Sequence, residues 1–400
     1  MTKKAEHNFA TYAVVALFFG VATCVVMFKV PAILTEVMEI IECDASEASM
    51  FMTIFSLVSC VLAIPTAFLL KKLGPLQISL IGSVFAIAGT VIGAFSILGE
   101  GYVDYYLLVC SRALEGISYV FTSMCVPIAL KNAVPREKRG VCLAIFSLFI
   151  PLGSVSGATF TPMLLSNFGF SFTWVFYGLI MCVASVLLFY VFKDTKTIKD
   201  ADDGLKTNPA SPVSIGLFMI SFMLFCTMQI AIFNYFPVCL QVKFNMDSSL
   251  GGFLATLPSL IAIPFCIFAG NLSDRHGTYK KVYLITLLIF TPGVAMIFAF
   301  NGILFFVGYA LICVGLAAPS VNTVAVFELF CSKYSGIGMA IVIAVSCLGQ
   351  SIGNIAIAQL IGNDFTGWIY AAIFLLASGI ISCVSVAFAK SKRSLKQSKK

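Results

Sequence analysis

Residues 282–327 read VYLITLLIFTPGVAMIFAFNGILFFVGYALICVGLAAPSVNTVAVF, without a single charged side chain. A helix needs about 20 apolar residues to cross the hydrocarbon core of a bilayer, so this stretch is long enough for two spans. Hydropathy divides it between residues 300 and 303. The stretch therefore predicts two consecutive helices that cross a membrane in opposite directions.

The whole chain has the same character. Of its 400 residues, 60% are apolar and 11% are charged, whereas soluble globular domains have about 45–50% and about 25%. The mean hydropathy is +1.01, which leaves too little polar surface to coat a water-soluble particle. Composition thus excludes a soluble protein and predicts a polytopic, all-α membrane protein.

Metal, cofactor and enzyme chemistry have no support in the sequence. The 14 cysteines are scattered singly, mostly inside apolar runs, and are interpreted as small apolar side chains within helices. There are only two histidines, His7 and His276, and neither a phosphate-binding loop nor a G-x-S-x-G motif is present. We therefore expect no cofactor, no metal and no enzymatic activity.

Hydropathy, interrupted at charged and Gly/Pro clusters, divides the chain into spans. It predicts twelve helices, over residues 9–36, 48–70, 76–98, 104–130, 141–165, 171–192, 213–241, 249–270, 282–300, 303–328, 335–361 and 366–389. A polar segment rich in Lys and Asp interrupts the apolar pattern at the middle of the chain. The predicted organisation is a six-helix bundle over 1–192, a cytoplasmic linker over 193–212, a second six-helix bundle over 213–389 and a basic tail over 390–400.

The basic residues predict the orientation in the membrane, because short cytoplasmic loops are enriched in Lys and Arg. If both termini are cytoplasmic, all but three of the 25 basic residues fall on that side; the exceptions are Lys29, Arg112 and Lys243. Acidic residues such as Glu36, Glu39 and Asp247 then lie on the opposite side. We therefore expect a multi-pass protein of the cell (inner) membrane with cytoplasmic termini.

The two predicted bundles repeat the same landmarks in the same order, which is a sign of an internal duplication. The paired features are AFLLKKLGPL from Ala67 and GNLSDRHGTYKK from Gly270, Gly116 and Gly315, LGSVSG from Leu152 and LGQSIG from Leu348, and Trp174 and Trp368. Two homologous six-helix halves with the substrate near the midplane between them are a recurrent design of secondary transporters.

Two short motifs stand out, GNLSDRHG at residues 270–277 and RALEG from Arg112. The first is similar to the loop motif G-x-L-x-D-R-x-G and the second to the fourth-helix pattern R-x-x-Q/E-G of the major facilitator superfamily, and the resemblance extends over essentially the whole chain. The resemblance implies a rocker-switch carrier in which the first, fourth, seventh and tenth helices line a central cavity. It also implies a conformational latch, formed by Gly270, Asp274, Arg275, Gly277 and, at the inner end of the tenth helix, Glu328.

The chain departs from the family pattern at two places. The first-half copy of the loop motif has Lys71 and Lys72 where the family usually has Asp and Arg. The antiporter signature of the fifth helix places Pro directly after Gly, but here Gly157 is followed by Ala158. The second departure weakens an interpretation as a drug exporter.

Charges inside the spans are the main functional candidates, because a charged group at the bilayer centre costs about 2.5–3.5 kcal/mol on insertion scales. Lys29 in the first span and Arg112 in the fourth lie at similar depth, and we expect them to bind an anionic substrate together. The alternatives are that Lys29 extends to the interface and that Arg112 only pairs with Glu115, one turn away. Glu115 is the candidate for proton coupling, with a structural ion pair as the alternative.

Uncharged polar residues form a second group of candidates in the second half. Asn234 and Tyr235 precede Pro237 in the seventh span, and Asn322 follows Pro319 in the tenth. Each is predicted to bind substrate, although hydrogen bonds between helices are an alternative role.

The sequence thus predicts a secondary transporter for a small organic carboxylate or inorganic anion, driven by protons or by exchange of a counter-substrate. Proton-driven efflux of hydrophobic or cationic compounds is the alternative within transport, and a membrane sensor built on a transporter fold is the alternative outside it. The expected partners are the solute, the coupling ion and the bilayer, with no nucleic acid. The family resemblance implies a monomer. Lys29→Gln and Arg112→Gln are both expected to abolish anion transport at near-normal expression.

Overall fold

A computed structural model describes residues 9–97, 102–195, 211–276, 279–317 and 335–389, and throughout these ranges the ordered elements are helices. The helices are α1 (Phe9–Ala32), α2 (Leu34–Ile41), α3 (Ala45–Leu73), α4 (Pro75–Phe95), α5 (Tyr102–Ala133), α6 (Arg136–Ser147), α7 (Phe149–Phe168), α8 (Phe170–Phe192), α9 (Pro212–Phe244), α10 (Ser248–His276), α11 (Tyr279–Ala299), α12 (Ile303–Gly315), α13 (Ser335–Ile361) and α14 (Trp368–Phe388).

Within the described ranges, eleven helical segments are long and apolar enough to cross a membrane, and α12 is a shorter apolar helix. The all-α membrane fold with twelve apolar helical segments is therefore confirmed. The tenth span was expected over 303–328; α12 ends at Gly315, and residues 318–334 lie outside the described part of the chain.

Two predicted spans are each divided into two helices, and a proline explains both breaks. The first span was expected to run to residue 36, but α1 ends at Ala32 and α2 starts at Leu34. The fifth span is interrupted at Leu148, between α6 and α7. Proline has no backbone N–H, so Pro31 and Pro151 cannot donate to the carbonyls one turn earlier, and the helical hydrogen bonding is interrupted there.

The same glycine contact occurs in each half of the chain. A Cβ atom added at Gly178 on α8 would lie 2.6 Å from the hydroxyl of Thr90 on α4. A Cβ atom added at Gly379 on α14 would lie 2.4 Å from the hydroxyl of Thr291 on α11. The third and sixth spans of each half therefore pack at a Gly-Thr contact that leaves no room for a larger side chain.

A second repeated contact joins the fifth span of each half to the first. Gly153 on α7 packs against Cys24 on α1, and Gly349 on α13 packs against the backbone of Met223 on α9. These are the glycines of the two LGxxxG copies, which places the repeated motif at equivalent helix crossings. The division of the chain into bundles at 193–212 stays a prediction, because residues 196–210 are outside the described ranges.

One end of the helical assembly, which we call the Glu36 end, is closed by hydrogen bonds between the two halves of the chain. Glu36 on α2 accepts from the Ser248 hydroxyl at the start of α10. The Thr35 hydroxyl lies 3.1 Å from Oε1 of Gln241 on α9, and the Asn363 side chain accepts from the backbone N–H of Ala45, 3.3 Å away. The first and second halves are therefore in direct contact at this end.

Candidate functional site

Three charged side chains meet inside the first half, and each is at most 1% exposed. The ammonium of Lys29 on α1 lies 2.6 Å from Oε1 of Glu115 on α5. The guanidinium of Arg112, one turn earlier on α5, lies 2.5 Å from Oε2 of the same carboxylate. Lys29 is fully buried, so the alternative in which it extends to the membrane interface is wrong. The Glu115 carboxylate therefore forms ion pairs with both cations.

The other hydrogen bonds of Arg112 go to backbone carbonyls. Its Nη1 donates to Val26 over 2.7 Å, Nη2 donates to Met27 over 3.0 Å, and Nε donates to Phe51 on α3 over 3.0 Å. The carbonyl of Met27 lacks its usual helical donor, because the residue four positions later is Pro31. Arg112 supplies that missing donor, and it thereby fixes the end of α1 that carries Lys29.

Aromatic rings cover both cations. The Lys29 ammonium lies 4.4 Å from the ring centre of Trp174 on α8, and the Arg112 guanidinium lies 4.8 Å from that of Phe55 on α3. Rings at this distance attract a cation through their electron-rich faces. The two contacts stabilise the buried cations without adding negative charge to the site.

Glycines on α4 and α5 make room for this cluster. A Cβ atom at Gly116 would lie 2.4 Å from the carbonyl oxygen of Phe55. The backbones of α5 and α3 are therefore closer here than any residue larger than glycine would permit. A Cβ atom at Gly89 would lie 2.9 Å from Cγ of Glu115. The Ser59 hydroxyl then donates 2.7 Å to the Gly116 carbonyl across the same crossing. The glycine of the R-x-x-E-G pattern thus has a packing role beside the charged pair.

The cluster carries a net positive charge. Two cations and one carboxylate sum to one positive charge, and no second carboxylate among the described residues is within ion-pair distance of Lys29 or Arg112. Charges out of water are stable only when they are paired and hydrogen bonded. The net positive charge therefore favours the approach of a further negative charge.

In the second half, the predicted residues Asn234 and Tyr235 both bind α13. The Asn234 side-chain amide donates 2.8 Å to Oδ1 of Asn354, and the Tyr235 hydroxyl donates 2.6 Å to the Asn354 carbonyl. Their hydrogen-bonding groups therefore join α9 to α13 in this structure, which was the alternative role for them. The third predicted residue, Asn322, lies outside the described ranges.

Comparison with known proteins agrees with this fold. The family model described as Major Facilitator Superfamily matches residues 12–242 and 217–400. The chain belongs to the major facilitator superfamily. As a member of that superfamily it is a multi-pass membrane protein and a secondary transporter that works by alternating access, not an enzyme. No curated protein matches its sequence significantly.

Solved structures of other superfamily members have the same fold. A bacterial homologue of the human lysosomal transporter Spinster, in an inward-facing and occupied conformation, has 11% identity and a TM-score of 0.72, with 95% of each chain covered. A D-xylose–proton symporter has 16% identity and a TM-score of 0.71, with 95% of this chain and 96% of that chain covered. At these identities the likeness concerns the superfamily fold alone.

The predicted latch of this superfamily member is only partly within the described structure. Gly270, Asp274 and Arg275 belong to the last turns of α10, but the positions of their side chains are not described. Gly277 and Glu328 lie outside the described ranges. The latch therefore stays a prediction.

Two residues that contact the candidate site residues, Trp174 and Asn354, were not predicted to do so from the sequence. Trp174 was used only as a landmark of the repeat, although its ring covers Lys29. Asn354 was not among the residues predicted to bind substrate, although Asn234 and Tyr235 both bind it. The available signal was the i, i+4 spacing of Gln350 and Asn354, which places two amides on one face of an otherwise apolar helix.

Proposed function

We propose that this transporter carries a small anion, an organic carboxylate or a small inorganic anion, and that Lys29 is the cation that binds it. The observation that supports this is the buried cluster in which Lys29 and Arg112 share the single carboxylate of Glu115. An anion that enters beside Lys29 neutralises the remaining positive charge. Arg112 adds to the positive potential of the site while its nitrogens stay on the backbone carbonyls.

Glu115 is the proposed coupling group. It occupies Lys29 with a 2.6 Å contact, so a substrate carboxylate competes with it for the same ammonium. A proton on Glu115 would remove its negative charge and release Lys29 for the substrate. This favours transport of the anion together with a proton; in exchange, a second anion would take the place of the first at Lys29.

Aromatic residues at the contact between the halves favour a second candidate, efflux of hydrophobic or cationic compounds. The rings of Phe28 on α1 and Phe233 on α9 lie 5.0 Å apart across this contact. The rings of Phe55 and Tyr119, both in the first half, lie 5.5 Å apart and belong to the same apolar cluster. Such a surface suits an apolar solute. The two cations beside Glu115 argue against a cationic one.

A thermal-shift panel on detergent-purified protein distinguishes the two candidates. Mono- and dicarboxylates, nitrate, nitrite and cyanate would be compared with lipophilic cations at pH 6 and pH 8. A ligand at about 100 times its Kd stabilises the folded state by about 2.7 kcal/mol, which is measurable as a rise in Tm. We expect stabilisation by one class of anions in the wild type, loss of this effect in Lys29→Gln, and its retention in the control Lys193→Gln, whose side chain is exposed.

Stabilisation by lipophilic cations alone would reject the anion proposal and make efflux the working function. The predicted orientation, with both termini cytoplasmic in the cell membrane, belongs to the same proposal. It is tested by the accessibility of single cysteines introduced at Lys72 and Glu39, which lie at opposite ends of the helices. Labelling of position 72 from outside intact cells would contradict it.

A further inference from the structure

One face of α13 is directed at the contact between the two halves of the transporter. Cys347, Gln350 and Asn354 are spaced three and four residues apart, so they lie along one side of the helix. Cys347 is 1% exposed and belongs to the same apolar cluster as Phe28 and Phe55 of the first half. Gln350 and Asn354 follow on the same side.

Each of these two amides keeps one polar atom without a hydrogen-bond partner among the described residues. Asn354 is 0% exposed; its Oδ1 accepts from Asn234, but its Nδ2 donates to no acceptor. Gln350 is 7% exposed; its Nε2 lies 3.4 Å from the Ser346 hydroxyl, but its Oε1 accepts from no donor. One buried donor and one buried acceptor are thus left one turn apart.

A hydroxyl group is suited to this pair, because its single oxygen accepts one hydrogen bond and donates another. Side chains four residues apart on a helix have Cβ atoms about 5–6 Å from each other, so both amides can reach the same oxygen. A methyl or methylene group in that position would leave both atoms unsatisfied, and buried unsatisfied polar atoms are unfavourable.

The helices that carry the proposed anion site and the partner of the amide pair, α1 and α9, are in contact. Phe28 and Phe233 are in ring contact between α1 and α9. Lys29 directly follows the first of these residues, and Asn234, the partner of Asn354, directly follows the second. Successive residues of a helix point in directions about 100° apart, so the two sites lie on contacting helices but on different faces of them. A solute that binds both would lie across the α1–α9 contact, with its carboxylate toward Lys29 and its hydroxyl group toward α13.

We infer that Asn354 and Gln350 bind a hydroxyl group of the transported anion, so that the substrate is a hydroxycarboxylate. The inference rests on the proposed function, in which Lys29 binds the carboxylate. It assigns substrate recognition in the second half to α13, whereas Asn234 positions Asn354 by occupying its Oδ1.

The test compares acids that differ by one hydroxyl group, using the full-length protein. Lactate is paired with propionate and malate with succinate, and binding is followed by thermal shift and by uptake into proteoliposomes. We expect the hydroxylated member of each pair to bind about tenfold more tightly, the effect of one net hydrogen bond to a buried group. Gln350→Met removes the free acceptor with little change of shape, and should reduce this preference to less than about threefold without weakening propionate.

Gln359→Met is the matched control, because Gln359 is on the same helix but exposed; it should keep the full preference. Asn354→Leu is a second variant with the same expected loss. Binding of acids with no preference for the hydroxyl in the wild type would overturn the inference and leave the anion proposal intact. A preference that survives both α13 variants would also overturn it. Failure of all four acids to bind would overturn this inference, whereas the proposed function would be rejected only if the inorganic anions of the thermal-shift panel also failed to bind.

Discussion

Glu115 holds two cations, and the consequences of removing either one differ. Lys29 has its ion pair with Glu115 and its contact with Trp174, whereas Arg112 also bonds three backbone carbonyls on two other helices. Loss of Lys29 leaves Glu115 paired with Arg112. Loss of Arg112 removes the bonds to carbonyls of α1 and α3, although the Lys29–Glu115 ion pair still joins α1 to α5. Their roles are therefore separable by mutation.

Lys29→Gln is expected to abolish anion transport with little loss of stability, whereas Arg112→Gln is expected to lower both. Either substitution leaves Glu115 paired with the other cation. The larger loss for Arg112→Gln comes from its three carbonyl bonds, each worth about 1.5–3 kcal/mol for a charged donor. The sequence alone predicts near-normal expression of Arg112→Gln. The structure instead predicts that its expression is reduced. The measurements are Tm in detergent and proteoliposome uptake. Equal Tm values of the two variants would contradict the role of Arg112 in holding α1 and α3 through their backbone carbonyls.

Helix breaks and helix crossings together position the site. The break after α1 frees the carbonyl that Arg112 binds, and the glycine crossings bring α5 against its neighbours α3 and α4. At Gly116 the obstacle to a side chain is the Phe55 backbone, which cannot move without moving α3. Glu115 precedes this glycine, so the depth of the carboxylate depends on the crossing.

Gly116→Ala is therefore expected to destabilise the transporter by about 1–3 kcal/mol, the usual effect of overpacking a filled contact. It should also reduce transport, because the Glu115 carboxylate would move relative to Lys29. Gly140→Ala is the control; a Cβ atom there meets no atom within 4 Å. Melting temperatures and uptake rates of the two variants provide the measurement. Wild-type values for Gly116→Ala would show that the crossing tolerates a larger residue.

For the whole molecule, alternating access requires the closed Glu36 end to open. The contacts there are hydrogen bonds such as those of Glu36 with Ser248 and Thr35 with Gln241. Hydrogen bonds between partly exposed groups contribute modestly, about 0.5–1.5 kcal/mol each. An end sealed in this way is able to separate during a transport cycle.

Cysteines at Thr35 and Gln241, cross-linked by a short reversible reagent in an active variant without native cysteines, should stop transport. Reduction of the cross-link should restore it, because the first and second halves can then separate at that end. A cross-link between Ala94 and Ser171, which joins α4 to α8 within the first half, is the control and should leave transport unchanged. Normal uptake with the Thr35–Gln241 cross-link intact would show that this end does not open.

The number and approximate ends of the spans could be predicted from sequence, because hydropathy over about 20 residues reflects a local requirement, the thickness of the bilayer. Proline positions also predict breaks, but hydropathy alone merged α1 with α2 and α6 with α7. The charges within spans were recognisable as unusual for the same local reason, since each is costly in lipid.

The sequence by itself determined a polytopic helical transporter and the charged residues that lie within its spans. Only the tertiary structure decided which groups meet. Lys29 and Glu115 are 86 positions apart, and Asn234 and Asn354 are 120 apart. Local patterns define the depth of a residue in the membrane and its face on a helix, but contact between helices depends on crossings such as Gly116 on Phe55. Those crossings placed two cations on one carboxylate and left two amides of α13 with free hydrogen-bonding atoms.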